Sequence, residues 1–312
     1  MTKKMATREA YGKALAELGK ENQDLVVLDA DLSKSTKTAE FAKAFPDRFI
    51  NMGIAEQNMV CVAAGLAAEG KTVFCSSFAM FAAGRAFEQV RNSIAYAQLP
   101  VTVAATHSGV TVGEDGATHQ AVEDMAIMRA IPGMTVVVPC DAEEAKKAVF
   151  ALAHYSYPAY LRLGRLSVET VTTEETPFAI GKGVVLREGN DAVVFACGLM
   201  VQEALAAAEQ LAAKNVSVTV VDMHTIKPLD EELVVKLAQE CGAVVTAEEG
   251  TVLGGLGSAV AEVLAEQALV PLGRVGVQDS FGESGKPAEL LKKYHLTADD
   301  IVEKVMVTIA KK

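Results

Sequence analysis

The chain has 312 residues, half of them hydrophobic, with no Trp and 5% aromatic content. That length suits about two domains of ~100–200 residues each, with cores that are mostly aliphatic. The 29 Lys and Arg against 40 Asp and Glu leave a formal net charge of −11, and no basic run offsets it, which argues against a nucleic-acid partner.

In chain order, short β-rich runs alternate with longer helical patterns. DLVVLDA, KTVFCSS, VTVAATH, MTVVVPC and AYLRLG are apolar without polar alternation, as strands buried on both faces are. Helical segments are expected at 8–19, 55–68, 80–96 and 141–153. Strand–helix alternation predicts a parallel sheet covered on both sides, with ligands beyond the carboxyl ends of its strands. VETVTTEETPFAIGKG then breaks the periodicity with Thr, Glu, Pro and Gly. Alternation resumes through AVVFACG, a helix over 200–213, VSVTVVDM, a helix near 229–240, AVVTAEE and a helix from about 257. The expected organisation is an α/β domain over 1–170, a linker over 171–187 and a smaller α/β domain over 188–312.

Five cysteines, Cys61, Cys75, Cys140, Cys197 and Cys241, stand far apart with no C-x-x-C. That pattern suits reduced thiols and a cytoplasmic protein better than a disulfide frame or a zinc site. No apolar stretch reaches the ~20 residues that span a bilayer, and MTKKMATREA lacks a signal-peptide core, so no membrane association is expected.

Chemically capable residues gather just after the predicted strands of the first domain. DADLSKST (29–36), SSFAMF (76–81) and THSGVTVGEDGATHQ (106–120) are the main sites. The last combines three glycines, which let a backbone approach a ligand closely, with His107, Glu114, Asp115 and His119. A solvated crossover loop would carry similar residues, and the His and acid spacing does not match a helical metal motif. GGLGSAV (254–260) invites a dinucleotide reading, but Val260 stands where Gly or Ala is needed and no G-x-x-x-x-G-K-[ST] occurs. It reads as a close-packing turn. NMGIAEQNMVCVAAGLAAEG (51–70) sets a carboxylate, Glu56, at the mouth of a segment that is otherwise small and apolar.

MATREAYGKAL, DADLSKST, NMGIAEQNM, SSFAMFAAGRAFEQVRNS, THSGVTVGEDGATHQAVEDMAIMRAIPGMTVVVPCD, YLRLGR and EEGTVLGGLGSAV occur in this order. Together they resemble the C-terminal half of transketolase, and most of all the separate C-terminal subunit of split transketolases. The resemblance runs through both domains. It implies a parallel-sheet domain binding the pyrimidine of thiamine diphosphate, followed by a smaller transketolase C-terminal-like domain.

The resemblance assigns roles to matching positions. Glu56 is similar to the glutamate that hydrogen-bonds the aminopyrimidine ring and favours its imino tautomer, while the cofactor acts as the electron sink. Phe78 and Phe81 match the aromatic residues around that ring. His107 and His119 match histidines that face substrate hydroxyls and carbonyl oxygen, and Asp115 the acid that reads a donor hydroxyl. Arg8, Ser35 and Arg165 match the group gripping the sugar phosphate, a task for which a guanidinium fork is suited. Asp31 matches an acid near the cofactor, on the opposing chain in complete dimers. Ser108 stands where an Asp is common, and Gly84 where a third aromatic is expected. Taken singly, Phe78 and Phe81 also suit core positions, Arg8, Arg162 and Arg165 solvated ends, and Glu56 a first-turn acid favoured by the helix dipole.

Thiamine enzymes hold the diphosphate through a divalent metal, usually with G-D-G and a downstream Asn. No G-D-G occurs here. The resemblance therefore implies a partner, an N-terminal transketolase subunit that carries the diphosphate and Mg2+ or a similar ion, with no metal ligand in this chain. The expected enzyme is a heterotetramer in carbohydrate metabolism and the pentose phosphate pathway. It moves a two-carbon ketol unit between sugar phosphates, and the isolated subunit is expected to be inactive. Two other readings share parts of this pattern. One is the β-type subunit of a 2-oxo acid dehydrogenase, or the matching part of a deoxyxylulose-phosphate synthase; the other is a non-catalytic relative.

Overall fold

The computed structural model describes residues 4–312. In the first part of the chain the strands are β1 (Lys4–Ala6), β2 (Leu25–Asp29), β3 (Phe49–Asn51), β4 (Thr72–Phe78), β5 (Val101–Thr106), β6 (Thr135–Val137), β7 (Ala159–Arg162) and β8 (Ser167–Glu169). The rest carries β9 (Val184–Arg187), β10 (Ala192–Ala196), β11 (Val218–Asp222), β12 (Thr225–Lys227), β13 (Val244–Thr251) and β14 (Leu272–Val277).

Two large sheets result, as the alternation predicts, and β1 and β8 pair antiparallel in a small third one. The first has seven strands in the order β12-β6-β7-β5-β4-β2-β3, and the second has five in the order β14-β13-β10-β11-β9. Every pairing among β2 to β7 in the first sheet is parallel. Their apolar runs are therefore buried on both faces, and Val27, Phe74, Val103 and Leu161 are all solvent-inaccessible. Tyr11, Tyr160, Phe41, Phe74 and Phe195 are among the largest buried side chains in a core that is otherwise aliphatic.

The two units are more entangled than the sequence suggests. β12 follows β11 of the second sheet, yet it pairs antiparallel with β6 at the edge of the first. The segment 171–187 is also not a free linker. Asp141 caps the helix Ala142–Ala153 by accepting from Glu144 N–H, and its carboxylate also takes the N–H groups of Val171 and Thr172, both at 2.7 Å. Residues 184–187 are β9, the antiparallel edge strand on β11.

The expected helices over 8–19, 55–68 and 141–153 form as Thr7–Glu21, Glu56–Ala68 and Ala142–Ala153. The single helix expected over 80–96 does not. It is built from two wide π-helical turns, Met80–Arg85 and Val90–Ala95, around a short α turn, Phe87–Gln89. A π turn adds a residue to the ring of each hydrogen bond and rotates the side chains around it, and such turns concentrate at functional sites. Apolar spacing cannot reveal that extra residue.

GGLGSAV is a close-packing turn. Glu248 receives the N–H groups of Leu256 and Gly257 at 2.8 and 2.7 Å, so an internal carboxylate fills the helix N-terminus. A Cβ at Gly255 would come within 2.0 Å of that carboxylate.

Candidate active site

The carboxyl ends of β2, β4 and β5 bring the predicted site residues to one edge of the first sheet. Glu56 opens the helix Glu56–Ala68, whose buried positions are Glu56, Met59, Val60, Ala63, Ala64 and Ala67. This is the stripe of one helical face, so the carboxylate lies on the same line as the small residues that pack inward. Glu56 is only 2% exposed. Its Oε2 accepts from Arg85 Nη1 at 2.8 Å. Arg85 was not foreseen: it is 29 residues away and no sequence period joins the two. It is presented by the wide turn Met80–Arg85, and its guanidinium lies 4.6 Å from the centre of the Phe81 ring.

Phe78 ends β4 and Phe81 lies in that same turn. Their rings are 6.0 Å apart and nearly parallel, at 13°. His107 stacks on Phe78 at 3.8 Å, and His119 meets Phe81 edge-on at 5.4 Å. A continuous series thus runs from Glu56 through Arg85, Phe81 and Phe78 to the two histidines.

His107 follows β5 with φ of +57°, a left-handed conformation uncommon outside glycine. Its ring is buried. Nε2 lies 3.1 Å from Arg8 Nη1, and Nδ1 lies 2.9 Å from Thr106 Oγ1. A guanidinium only donates, so Nε2 must accept, and the proton sits on Nδ1. Burial first, then Arg8 and Arg165, press the His107 pKa down to about 3. The ring is neutral throughout the physiological range. His119 is half-buried and lies 3.0 Å, through Nδ1, from Thr118 Oγ1.

Arg8 joins two predicted members of the phosphate group, since the same Nη1 donates to the Ser35 carbonyl at 2.8 Å. Ser35 thus meets Arg8 through its backbone carbonyl, not its hydroxyl. Arg8 Nε is buried with no partner. Burial and the neighbouring Arg165 lower the Arg8 pKa. Arg165 donates to the Val112 carbonyl and lies 3.4 Å from Asp115. Two guanidinium groups close enough to repel, one with an orphan N–H, suit an anion.

Asp31 is exposed and stands apart from the histidines in its contacts. It exchanges hydrogen bonds of 3.2 Å with Asn51, beside the turn that leads into Glu56. The organising acid of DADLSKST is instead Asp29, which accepts from Leu32 N–H and from the Thr36 and Thr38 hydroxyls at 2.6–2.8 Å. Arg162 is not a solvated strand end. It is buried, with Nε 2.8 Å from Asp124 Oδ2. Ser108 is buried and donates to the Leu163 carbonyl at 3.1 Å.

Residues 3–170 match the transketolase pyrimidine binding domain, and residues 181–301 match the transketolase C-terminal domain. The chain belongs to the transketolase family. A protein of Methanocaldococcus jannaschii named for a transketolase C-terminal section is 51% identical over 97% of this chain and 96% of its own length. The transketolase of Rattus norvegicus is 40% identical over 99% of this chain, which spans only 50% of that protein. A solved split-gene transketolase, in an inactive β4 tetramer, superposes with a TM-score of 0.93 at 56% identity, over 99% of both chains.

Membership of the transketolase family implies thiamine diphosphate. The residues present suit the pyrimidine end of that cofactor: flat aromatic faces at Phe78 and Phe81, with a buried carboxylate joined to them by Arg85. Among the described residues, one group of potential metal donors stands together, Cys140, Glu144 and Asp222, within 4.8 Å of one another. All three are buried, and none belongs to the series from Glu56 to the two histidines.

Proposed function

We infer that this chain is the C-terminal subunit of a two-component transketolase. With a separate N-terminal subunit it transfers a two-carbon ketol unit from a ketose phosphate to an aldose phosphate through thiamine diphosphate. The observation that carries this reading is the single connected cluster in which Glu56, Phe78, Phe81, His107 and His119 are joined by direct or shared contacts. Support for the missing half comes from the sequence, which has no G-D-G, and from the half-length match to a complete transketolase.

In this reading the cofactor, when bound, supplies the electron sink for cleavage and formation of the carbon–carbon bond. Glu56 hydrogen-bonds the pyrimidine, and Arg85 holds that carboxylate in place. Phe78 and Phe81 orient the ring by offering flat apolar area. His107, neutral and with its tautomer set by Arg8, orients substrate oxygen rather than delivering a proton from an imidazolium. His119 is the more accessible of the two and is the proton shuttle. Asp115 reads a donor hydroxyl, and Arg8, with Arg165 and the Ser35 segment, binds the sugar phosphate. Asp31 faces the cofactor from the opposing subunit's side. The partner subunit holds the diphosphate and its divalent ion, and a cytoplasmic heterotetramer in the pentose phosphate pathway is the expected setting. The related split-gene transketolase solved as an inactive β4 tetramer supports the expectation that such a subunit alone self-associates without activity.

The test is reconstitution. The chain is mixed with its N-terminal partner, thiamine diphosphate and magnesium, and assayed with ketose and aldose phosphates. Two-carbon transfer only in the mixture is the expected result. Full transfer by this chain alone, or pyruvate decarboxylation in place of ketol transfer, would overturn the reading.

A further inference from the structure

The second domain reads in sequence as a structural and oligomerisation unit. One of its side chains nevertheless reaches the catalytic loop. Successive residues of a strand point to opposite faces, and in β13 the consecutive acids Glu248 and Glu249 do so with different targets. Glu248 turns to its own domain, to the amide groups that open the helix Leu256–Gln267. Glu249 turns to the first domain, where its Oε1 accepts the Thr111 N–H at 2.7 Å.

Thr111 belongs to the loop that leaves His107. Gly109, two residues after His107, has φ of +75°, and a Cβ there would lie 2.3 Å from the Glu249 carboxylate. The backbone therefore passes directly under the carboxylate, and only glycine permits both the conformation and the approach. The same stretch is held from its other side by its own domain. Gly109 N–H donates to the Ala121 carbonyl at 2.8 Å, and the Ser108 hydroxyl donates to Leu163. Arg162 ties these supports together: one nitrogen meets Asp124, and another donates to the Glu249 carbonyl at 2.8 Å. The loop is thus a bridge with one anchor in each domain.

We propose that Glu249 is a positioning residue for ketol transfer, fixing from the C-terminal domain the backbone that sets His107 against Phe78 and Arg8. The inference rests on the transketolase reading of the cleft. A carboxylate bound to a backbone N–H is a strong, directional restraint. His107 sits in a left-handed conformation that its surroundings must impose. Without the carboxylate, the 109–111 backbone loses its hydrogen bond to β13 and the His107 ring loses its register.

The experiment compares Glu249→Ala and Glu249→Gln with the wild type in two settings. In the reconstituted two-chain enzyme, Glu249→Ala is expected to lower kcat at least about tenfold, with KM for the sugar phosphates little changed. Glu249→Gln keeps a carbonyl oxygen for the Thr111 N–H and is expected to restore most of that loss. In the isolated chain, amide hydrogen exchange at Gly109 and Thr111 is expected to speed up in Glu249→Ala and to stay near wild type in Glu249→Gln. Unchanged exchange at those amides in the Ala variant overturns the proposal. So does a Glu249→Ala enzyme that unfolds at lower urea but turns over normally per folded site. If Glu249→Ala does not fold, the Gln variant decides: a kcat as low as that of a His107 variant overturns the proposal. Failure of the wild-type mixture to transfer ketol units refutes the cleft reading instead, and the exchange measurement still judges Glu249.

Discussion

Arg85 Nη1 lies 2.8 Å from Glu56 Oε2, and the same guanidinium covers the Phe81 ring. The acid that the sequence places at the mouth of a buried helix is therefore one half of an ion pair whose other half is partly exposed. Burying a lone carboxylate is costly, and an arginine that keeps contact with water reduces that cost. Arg85→Met should destabilise the isolated chain by about 1–2 kcal/mol, less than for a fully buried pair because Arg85 is half in solvent. Urea unfolding checks this, and an unchanged midpoint would show the pair to be incidental. In the reconstituted enzyme, Glu56→Gln should remove nearly all turnover.

Arg8 holds His107 and the Ser35 carbonyl with one nitrogen while its Nε has no partner. Arg8→Lys keeps the charge but loses the fork. We expect it to raise KM for phosphorylated sugars about tenfold or more, and to affect an unphosphorylated ketose much less. Equal effects on both substrates would place Arg8 outside phosphate recognition.

His107 gives a pH prediction. Its pKa lies near 3 in the folded chain, below the ordinary value of 6.5. Between those limits the unfolded chain binds a proton that the folded ring does not. Stability is therefore fully present above pH 6.5 and falls as pH drops, by up to about 1.4 kcal/mol per pH unit. Replacing His107 with Gln should flatten that slope in urea titrations from pH 7 to 4. NMR of the wild-type ring at pH 5 should show a neutral imidazole protonated on Nδ1, and an imidazolium there would refute the assignment.

Glu144 and Asp222 meet in the interior beside Cys140, and neither Asp222 oxygen has a hydrogen-bond donor. Burial first pushes both carboxyls up, and Asp222 adds to the rise of Glu144. One proton shared between the two acids satisfies them, so their contribution is present at low pH and lost as pH rises through the folded values. Asp222→Asn supplies a permanent N–H donor. It should stabilise the chain at pH 8 by about 1 kcal/mol or more, with a smaller effect at pH 5. A wild type that is the more stable at pH 8 would contradict the shared proton.

Much of the fold was legible because burial on both faces leaves an unbroken apolar run. DLVVLDA, KTVFCSS and VTVAATH read as interior strands, and they are β2, β4 and β5. Short strands with mixed composition were not legible. β12 is three residues long and finds its partner in the other sheet, a choice made by packing rather than by pattern. The wide turns at 80–95 escaped for a similar reason: they keep the apolar content of a helix and change only its winding.

Glu56, Phe78, Phe81, His107 and His119 were singled out by the ordered motifs that resemble transketolase, and the structure brings them into contact with one another directly or through Arg85. Arg85, Glu249 and the tautomer of His107 were beyond reach of the sequence. The partners concerned are separated by 29, 138 and 99 residues; Glu56 with Arg85 and Arg8 with His107 meet through the folding of the first sheet, and Thr111 with Glu249 through the packing of the two domains. By itself the sequence determined which segments are buried, since that follows from local composition and period, while the roles proposed for the site side chains came from the resemblance to transketolase. Only the tertiary structure decided which charge sits on which carboxylate and which domain holds the loop. Those depend on distances of about 3 Å between residues that no sequence period connects.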